Sequence, residues 1–103
     1  MDNLRQLYIY TGKNLNDISF VKSLYRLSHL YISESNIDSL KVLKELVTEQ
    51  KRRFDNEKDF HKRLFMIIDA VCVNSENELD GSELLETGAY ISEVIINRKK
   101  YVD

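Results

Sequence analysis

The 103-residue chain contains no proline, no tryptophan and only three glycines. Proline and glycine are the residues that most often interrupt helices and strands or form linkers, so their scarcity predicts a single domain over residues 1–103. The single cysteine, Cys72, excludes a disulfide within the chain and is typical of a reducing cytoplasm. No apolar run approaches the roughly 18 residues that span a membrane, and we expect no signal peptide and no membrane association.

The chain also lacks a strong charge of either sign, with 15 basic and 17 acidic residues and a net charge of −2. This balance predicts no general attraction to nucleic acid or to anionic membranes. The sequence contains no G-x-S-x-G motif and no phosphate-binding glycine loop. Its two histidines, His29 and His61, and its one thiol lie far apart and show no metal-ligand spacing. We therefore expect no catalytic activity, no bound metal and no cofactor.

What the chain does contain is one leucine pattern that occurs twice within residues 4–46. The first copy is Leu4-x-x-Leu7-x-Ile9 and the second is Leu27-x-x-Leu30-x-Ile32, so matching positions lie 23 residues apart. Each copy alternates apolar and polar residues, which predicts strands over 4–10 and 28–33. Apolar residues then recur at every third position, which predicts a helical return segment. The first such segment is expected over 17–25, with Asn16 or Asp17 as its N-cap.

This pattern resembles the leucine-rich repeat, L-x-x-L-x-L-x-x-N-x-L, and is most similar to the bacterial internalin type, whose period is about 22 residues. The resemblance covers residues 4–46. It implies one parallel strand per repeat, outward strand residues that meet protein partners, and an asparagine that hydrogen-bonds the turn backbone. Asn36 occupies that asparagine position, and Asn14 does so if the extra residue of the first turn bulges. Stacked repeats bury their apolar residues only against neighbours, so two repeats need cover at both ends.

Residues 47–103 are predicted to form that cover as a helical cap. One long helix is expected to begin after Asp38-Ser39. A second is expected to follow Asn56 and to carry Phe60, Leu64, Ile67, Ile68 and Val71, and a third to run from Asp80 to Val102. The β-branched residues of 65–73 and 90–96 also favour strands, and both alternatives remain open. The expected fold is α/β and helix-rich, with two leucine-rich-repeat-like β-α units whose parallel strands are capped by C-terminal helices.

The outward residues of the two predicted strands form the candidate partner-binding surface. They are Gln6, Tyr8, Tyr10, His29, Tyr31 and Ser33. The 23-residue offset predicts that Tyr8 faces Tyr31 and that Gln6 faces His29. Tyrosine is frequent in binding surfaces because it offers a large contact area and a hydroxyl group at a low entropic cost. The alternatives are cross-strand aromatic packing and cover by the protein's own helices.

Two charged segments are weaker candidates. The basic segment 51–63, with Arg98–Lys100, resembles a phosphate-contacting surface, but its interleaved acids favour a solvated helix, so we do not expect nucleic acid as the main partner. An acidic docking surface for a basic partner is possible in the stretch that follows, with a solvated loop as the alternative. Its residues are Glu76, Glu78, Asp80 and Glu83. An EF-hand there would place Thr87 where a bidentate glutamate is required, so we expect no calcium site.

We therefore expect a non-catalytic protein–protein interaction module that acts through its strand face. Small size and mild acidity favour a small bacterial immunity or inhibitor protein. The first alternative is a structural protein that forms homo-oligomers, because the strand Leu4–Tyr10 would be an unpaired edge of the sheet. The second alternative is a weak nucleic-acid binder that uses residues 51–63.

Overall fold

The structure, a computed structural model, describes residues 4–10, 12–63, 68–88 and 90–102. Within these residues the chain folds as α/β, with one five-stranded sheet and three α-helices. The strands are β1 (Gln6–Ile9), β2 (His29–Ile32), β3 (Ala70–Val73), β4 (Glu93–Ile96) and β5 (Lys99–Lys100). The helices are α1 (Lys41–Asn56), α2 (Phe60–Arg63) and α3 (Ser82–Leu85), with a 3₁₀ turn, η1, at Ser19–Ser23.

The strands follow one another in the sheet in the order β1-β2-β3-β4-β5. The first four are parallel, and β5 returns antiparallel beside β4. Leu7 pairs with Leu30, so the predicted parallel pairing of 7–9 with 30–32 is confirmed, in the register of the 23-residue offset. The same offset recurs between Val71 and Val94, which pair across β3 and β4. The offset between paired residues of β2 and β3 is larger, because α1 and α2 lie in that connection.

The core lies between the sheet and the helices. Every second strand residue points into it, as the two-residue period of a strand requires. These inward residues include Leu30, Ile32, Val71, Val73, Val94 and Ile96, all at most 2% exposed. The helical layer adds Val21 from η1 and Leu43, Leu46 and Val47 from α1, which are fully buried. Burial of one such side chain contributes about 1.5–3 kcal/mol, so this layer is the main source of stability.

Helix α1 is anchored at its start and along its inner face. The hydroxyl of Ser39 accepts a hydrogen bond from the Lys41 backbone N–H at 3.0 Å, close to the predicted start of this helix. Gln50 is only 1% exposed. Its side-chain amide donates to the carbonyl oxygens of Tyr25 at 3.1 Å and Leu27 at 2.9 Å. These two bonds tie the helix to the segment that leads into β2.

The turns after the strands are joined by asparagine side chains. The amide of Asn77 donates to the backbone carbonyl of Asn36 at 3.2 Å and to its side-chain oxygen at 3.1 Å. Asn97 continues the series, since its amide donates to the carbonyl of Asn77 at 3.0 Å. Asn36 also donates its backbone N–H to the carbonyl of Leu15 at 2.7 Å. Asn14 is exposed.

The helical cap predicted for residues 47–103 is wrong. Of the helix expected after Asn56, the described residues contain α2 (Phe60–Arg63), whereas Ala70–Val73, which include its predicted residue Val71, form a strand; Leu64 and Ile67 lie outside the described residues. The helix expected from Asp80 to Val102 is a single turn, α3, although the Asp80 carboxylate does accept the Ser82 N–H at 3.0 Å. The strand alternative for 90–96 is the correct one, since β4 lies there.

The reason for this error lies in the composition of β3 and β4. Their outward residues include Cys72 and Ile95, so the runs Ala70–Val73 and Val94–Ile96 are apolar at every position and half-buried or buried, and only Glu93 at the start of β4 is charged and exposed. An apolar run of this kind has no clear two-residue period and fits one face of a helix equally well. The description of the whole fold as helix-rich is therefore not confirmed.

The last connection is a two-residue hairpin. Ile96 pairs with Lys99, and the two residues between them, Asn97 and Arg98, have φ values of 51° and 68°. Two positive φ angles are typical of the type I′ turn, whose twist matches that of an antiparallel hairpin. Asparagine adopts this conformation readily, whereas arginine does so at some cost. The turn ends the sheet with a two-residue strand.

Candidate interaction surface: the open face of the sheet

The outward strand residues form two rows across the side of the sheet that faces away from the core. The first row is Gln6, His29, Ala70 and Glu93, and the second is Tyr8, Tyr31, Cys72, Ile95 and Lys100. We call this surface the open face, because none of these side chains is buried. Parallel sheets normally have both faces covered. A parallel sheet with one uncovered face is therefore a candidate for binding something else.

Three tyrosines cluster at the β1 end of the open face. The ring centroids of Tyr8 and Tyr10 lie 6.3 Å apart in a stacked arrangement, and the Tyr31 ring lies 6.1 Å from the first and 5.8 Å from the second. These distances are typical of favourable aromatic pairs. Nevertheless, Tyr8 remains 46% exposed and Tyr10 65% exposed. This tyrosine cluster is pre-ordered by cross-strand packing, and within the described residues helices do not cover it.

His29 is held at the other end of β2 by its neighbours. Its Nδ1 lies 2.9 Å from the Ser28 hydroxyl oxygen, and its Nε2 lies 3.9 Å from an Asp69 carboxylate oxygen, which is too long for a hydrogen bond. The Ser28 hydroxyl donates to the carbonyl of Arg5 at 2.9 Å. Since that hydroxyl has only one proton, Nδ1 of His29 is the donor to Ser28. The arrangement ties β1 to β2 and does not activate a serine nucleophile.

Of the six predicted surface residues, Gln6, Tyr8, Tyr10, His29 and Tyr31 are brought together on the open face. Ser33 has a supporting position, since its hydroxyl donates to the carbonyl of Tyr10 just beyond the end of β1. The sequence reasoning missed the outward residues of β3 and β4, because both segments were assigned to helices. The signal that could have found them is the pair of runs 71–74 and 94–97, which repeat V-x-[VI]-N at the 23-residue offset.

Cys72 lies half-buried in the second row of the open face, opposite Tyr31 of β2. Burial raises the pKa of its thiol, and the nearby negative charge of Glu93 raises it further. A raised pKa reduces the thiolate fraction at neutral pH, and the thiolate is the reactive form. The Cys72 side chain therefore adds apolar area to the open face.

Three basic residues of the segment 51–63 form ion pairs with acidic side chains of the same helix. Lys51 pairs with Asp55 at 2.7 Å, and Arg52 and Arg53 both pair with Glu49. The hydrogen bond from Arg52, with a second from Arg53, lowers the pKa of Glu49 to about 2. The interleaved charges thus form the solvated, ion-paired helix surface that their alternation favours.

The acidic residues lie in the loop after β3 and in α3, and not on the strands. Glu76, Glu78 and Asp80 are exposed, and Glu83 is half-buried. Hydrogen bonds from the hydroxyl and the backbone N–H of Ser82, the first residue of α3, lower the pKa of Asp80. Within the described ranges no three histidine, cysteine or acidic side chains are grouped as a metal site would require.

In comparisons with protein-family models, with curated proteins and with solved structures, nothing matches this chain. None of the helices in the part of the chain that the structure describes has the length and apolar character needed to cross a membrane. The functional interpretation therefore depends on the geometry of the open face.

Proposed function

We propose that this protein is a non-catalytic interaction module that binds another protein through the open face of its sheet. We further propose that its architecture is leucine-rich-repeat-like, which parallel strands at a 23-residue offset and asparagines that join successive turns support. More specifically, we propose that it is a small bacterial immunity or inhibitor protein that acts in the cytoplasm.

The tyrosine cluster is the observation that supports the proposal most directly. Two exposed aromatic rings, together with half-buried Tyr31, Cys72 and Ile95, leave apolar area in contact with water. Binding hot spots are enriched in tyrosine because a buried aromatic ring contributes a large area and loses few rotamers. The rings already hold one another in place, so a partner that covers them has less side-chain entropy to remove.

The polar residues around the tyrosine cluster would orient a bound partner. Gln6 and His29 lie side by side on β1 and β2. Glu93 lies on β4 and Lys100 on β5, at the end of the sheet where Cys72 and Ile95 are the apolar outward residues. An apolar centre with a polar rim is the usual anatomy of a protein interface. The centre would supply most of the affinity and the rim the orientation of the partner.

The decisive experiment compares tyrosines of the cluster with aromatic residues elsewhere. The partner is captured from lysate of the source cells, purified, and titrated against the wild type and against Tyr8→Ala and Tyr31→Ala by calorimetry. We expect each substitution to weaken binding by roughly tenfold to a hundredfold, while the thermal midpoint changes little. The matched controls are Phe20→Ala and Tyr90→Ala, whose rings are 49% and 45% exposed but lie off the open face.

An equal loss of affinity in the controls, or no loss in Tyr8→Ala and Tyr31→Ala, would show that the open face does not bind the partner. The proposal that the chain is an immunity protein is tested separately. The captured partner should be a toxin whose activity falls when this protein is added in equal amount. A partner without such activity removes the immunity reading and leaves the interaction role in place.

A further inference from the structure

The two edges of the sheet differ in whether their backbone groups are protected. At the β1 edge, the carbonyls of Arg5 and Ile9 accept hydrogen bonds from backbone N–H groups of the β2 segment, including Ser28 and Ser33. In a parallel ladder alternate residues point to opposite sides, so the N–H and C=O groups of Gln6 and Tyr8 point away from β2. Within the described residues no strand pairs with them.

The opposite edge carries the features that prevent further pairing. Strand β5 has only two residues, Lys99 and Lys100, both exposed, and Arg98 precedes them in the hairpin turn. Short, lysine-bearing edge strands are a common protection against edge-to-edge association. Strand β1 is twice as long and, from Gln6 to Tyr10, has no charged residue and no proline. The protein protects one edge of its sheet and leaves the other able to pair.

We propose that the β1 edge pairs with the β1 edge of a second copy of this chain, antiparallel and about a two-fold axis near Tyr8. A two-fold axis perpendicular to the sheet keeps both open faces on the same side. The dimer then has one continuous ten-stranded sheet, with the two tyrosine clusters side by side at its centre. Because the paired segment is uncharged, this self-association brings no like charges opposite one another.

Half-buried apolar residues at the β1 end of the core indicate that the partner at this edge is a second copy of the chain. Leu4, Leu7, Ile9 and Leu15 pack against the core from the β1 end and are only half-buried. In stacked β-α units such residues are buried by the next unit along the stack. A symmetric partner supplies that neighbour for both copies, with the same residues on each side.

The charge asymmetry of the edges also selects a closed dimer over a fibre. Pairing β1 of one copy with β5 of the next would leave free edges and continue indefinitely. That contact would offer only the two residues of β5, both of them lysines, to the four of β1. Pairing β1 with itself uses the longer edge of both copies and leaves only protected edges exposed.

The test is sedimentation equilibrium from low to high micromolar concentration. We expect the wild type to approach twice the chain mass of 12.2 kDa. Tyr8→Lys places two lysines opposite each other across the axis and should sediment as a monomer. Tyr31→Lys is the matched control, since it adds the same charge one strand inward, and it should remain a dimer. Circular dichroism checks that each variant is folded.

A charge-swap mixture makes the test independent of any single variant. Tyr8→Lys and Tyr8→Glu should each be monomeric alone, and an equimolar mixture of the two should form a heterodimer. A wild type that stays at 12.2 kDa throughout the range overturns the proposal. So does dissociation by Tyr31→Lys to the same extent as by Tyr8→Lys, because the contact would then lie on the open face. A monomeric wild type that still loses its protein partner in Tyr31→Ala leaves the proposed function standing.

Discussion

The two faces of the sheet are built from the same strands, yet one is packed and the other is open. Leu30 and Ile32 point inward and are 2% and 0% exposed, whereas Tyr31 between them points outward and is half-buried. Moving one residue along a strand exchanges the core for the surface. Alternating positions therefore serve the core and the open face, and the two can be altered separately.

The largest change in the free energy of unfolding should follow a substitution on the packed face. Leu30→Ala removes a buried side chain from the centre of the sheet and should lower the free energy of unfolding by about 2–5 kcal/mol, because it leaves a cavity. Chemical denaturation followed by circular dichroism measures the change. Tyr31→Ala, one residue away, should cost clearly less. Equal losses at the two positions would mean that the open face is packed as tightly as the core.

A smaller loss of stability is expected at Gln50, a polar residue that is buried in the core. Gln50→Met keeps the length of the side chain but leaves the carbonyls of Tyr25 and Leu27 without their donor. We expect a loss of about 1–2 kcal/mol. The Oε1 atom of Gln50 has no hydrogen-bond partner in the described structure, and its removal offsets part of the cost. Thr48→Val, at an exposed position of the same helix, should change the stability by less than about 0.5 kcal/mol.

The smallest effect should come from the outer surface of α1 and should depend on pH. The arginines beside Glu49 lower its pKa from 4.5 to about 2, so the ionised form stabilises the fold. This contribution is complete above pH 4.5 and is lost as the pH falls towards 2. Since the side chain is 31% exposed, solvent screening limits the contribution to about 0.3–1 kcal/mol. Denaturation of wild type and Glu49→Gln at pH 7 and pH 2.5 should show a larger difference at the higher pH, because at pH 2.5 most of this contribution is lost.

The sequence predicts the β1–β2 half of the fold well because two independent signals agree there. The alternation Leu7-x-Ile9 and Leu30-x-Ile32 indicates strands, and the constant offset between the copies sets the register. The facing pairs Tyr8–Tyr31 and Gln6–His29 follow directly and are confirmed. The part of the candidate surface on β1 and β2 could therefore be located without coordinates.

The second half could not be predicted because its signals conflict. Cys72 and Ile95 are apolar outward residues, which removes the two-residue alternation that identifies a half-exposed strand. The connection from β2 to β3 is also longer than the repeat, since Leu30 pairs with Val71, and a constant offset fails at that point. Apart from the V-x-[VI]-N runs at 71–74 and 94–97, what separates strand from helix in such a run is the pairing of β3 against β2, and pairing is a property of the folded chain.

The unequal connections have a consequence for engineering. The chain returns from β1 to β2 and from β3 to β4 after 23 residues, but inserts the 16-residue helix α1 before β3, and the strands still align. The sheet thus tolerates large changes of length on its helical side. Residues Glu57 to Asp59, between α1 and α2, lie at such a tolerant point. A fluorophore or an affinity tag grafted there would report on complexes formed at the tyrosines without touching them.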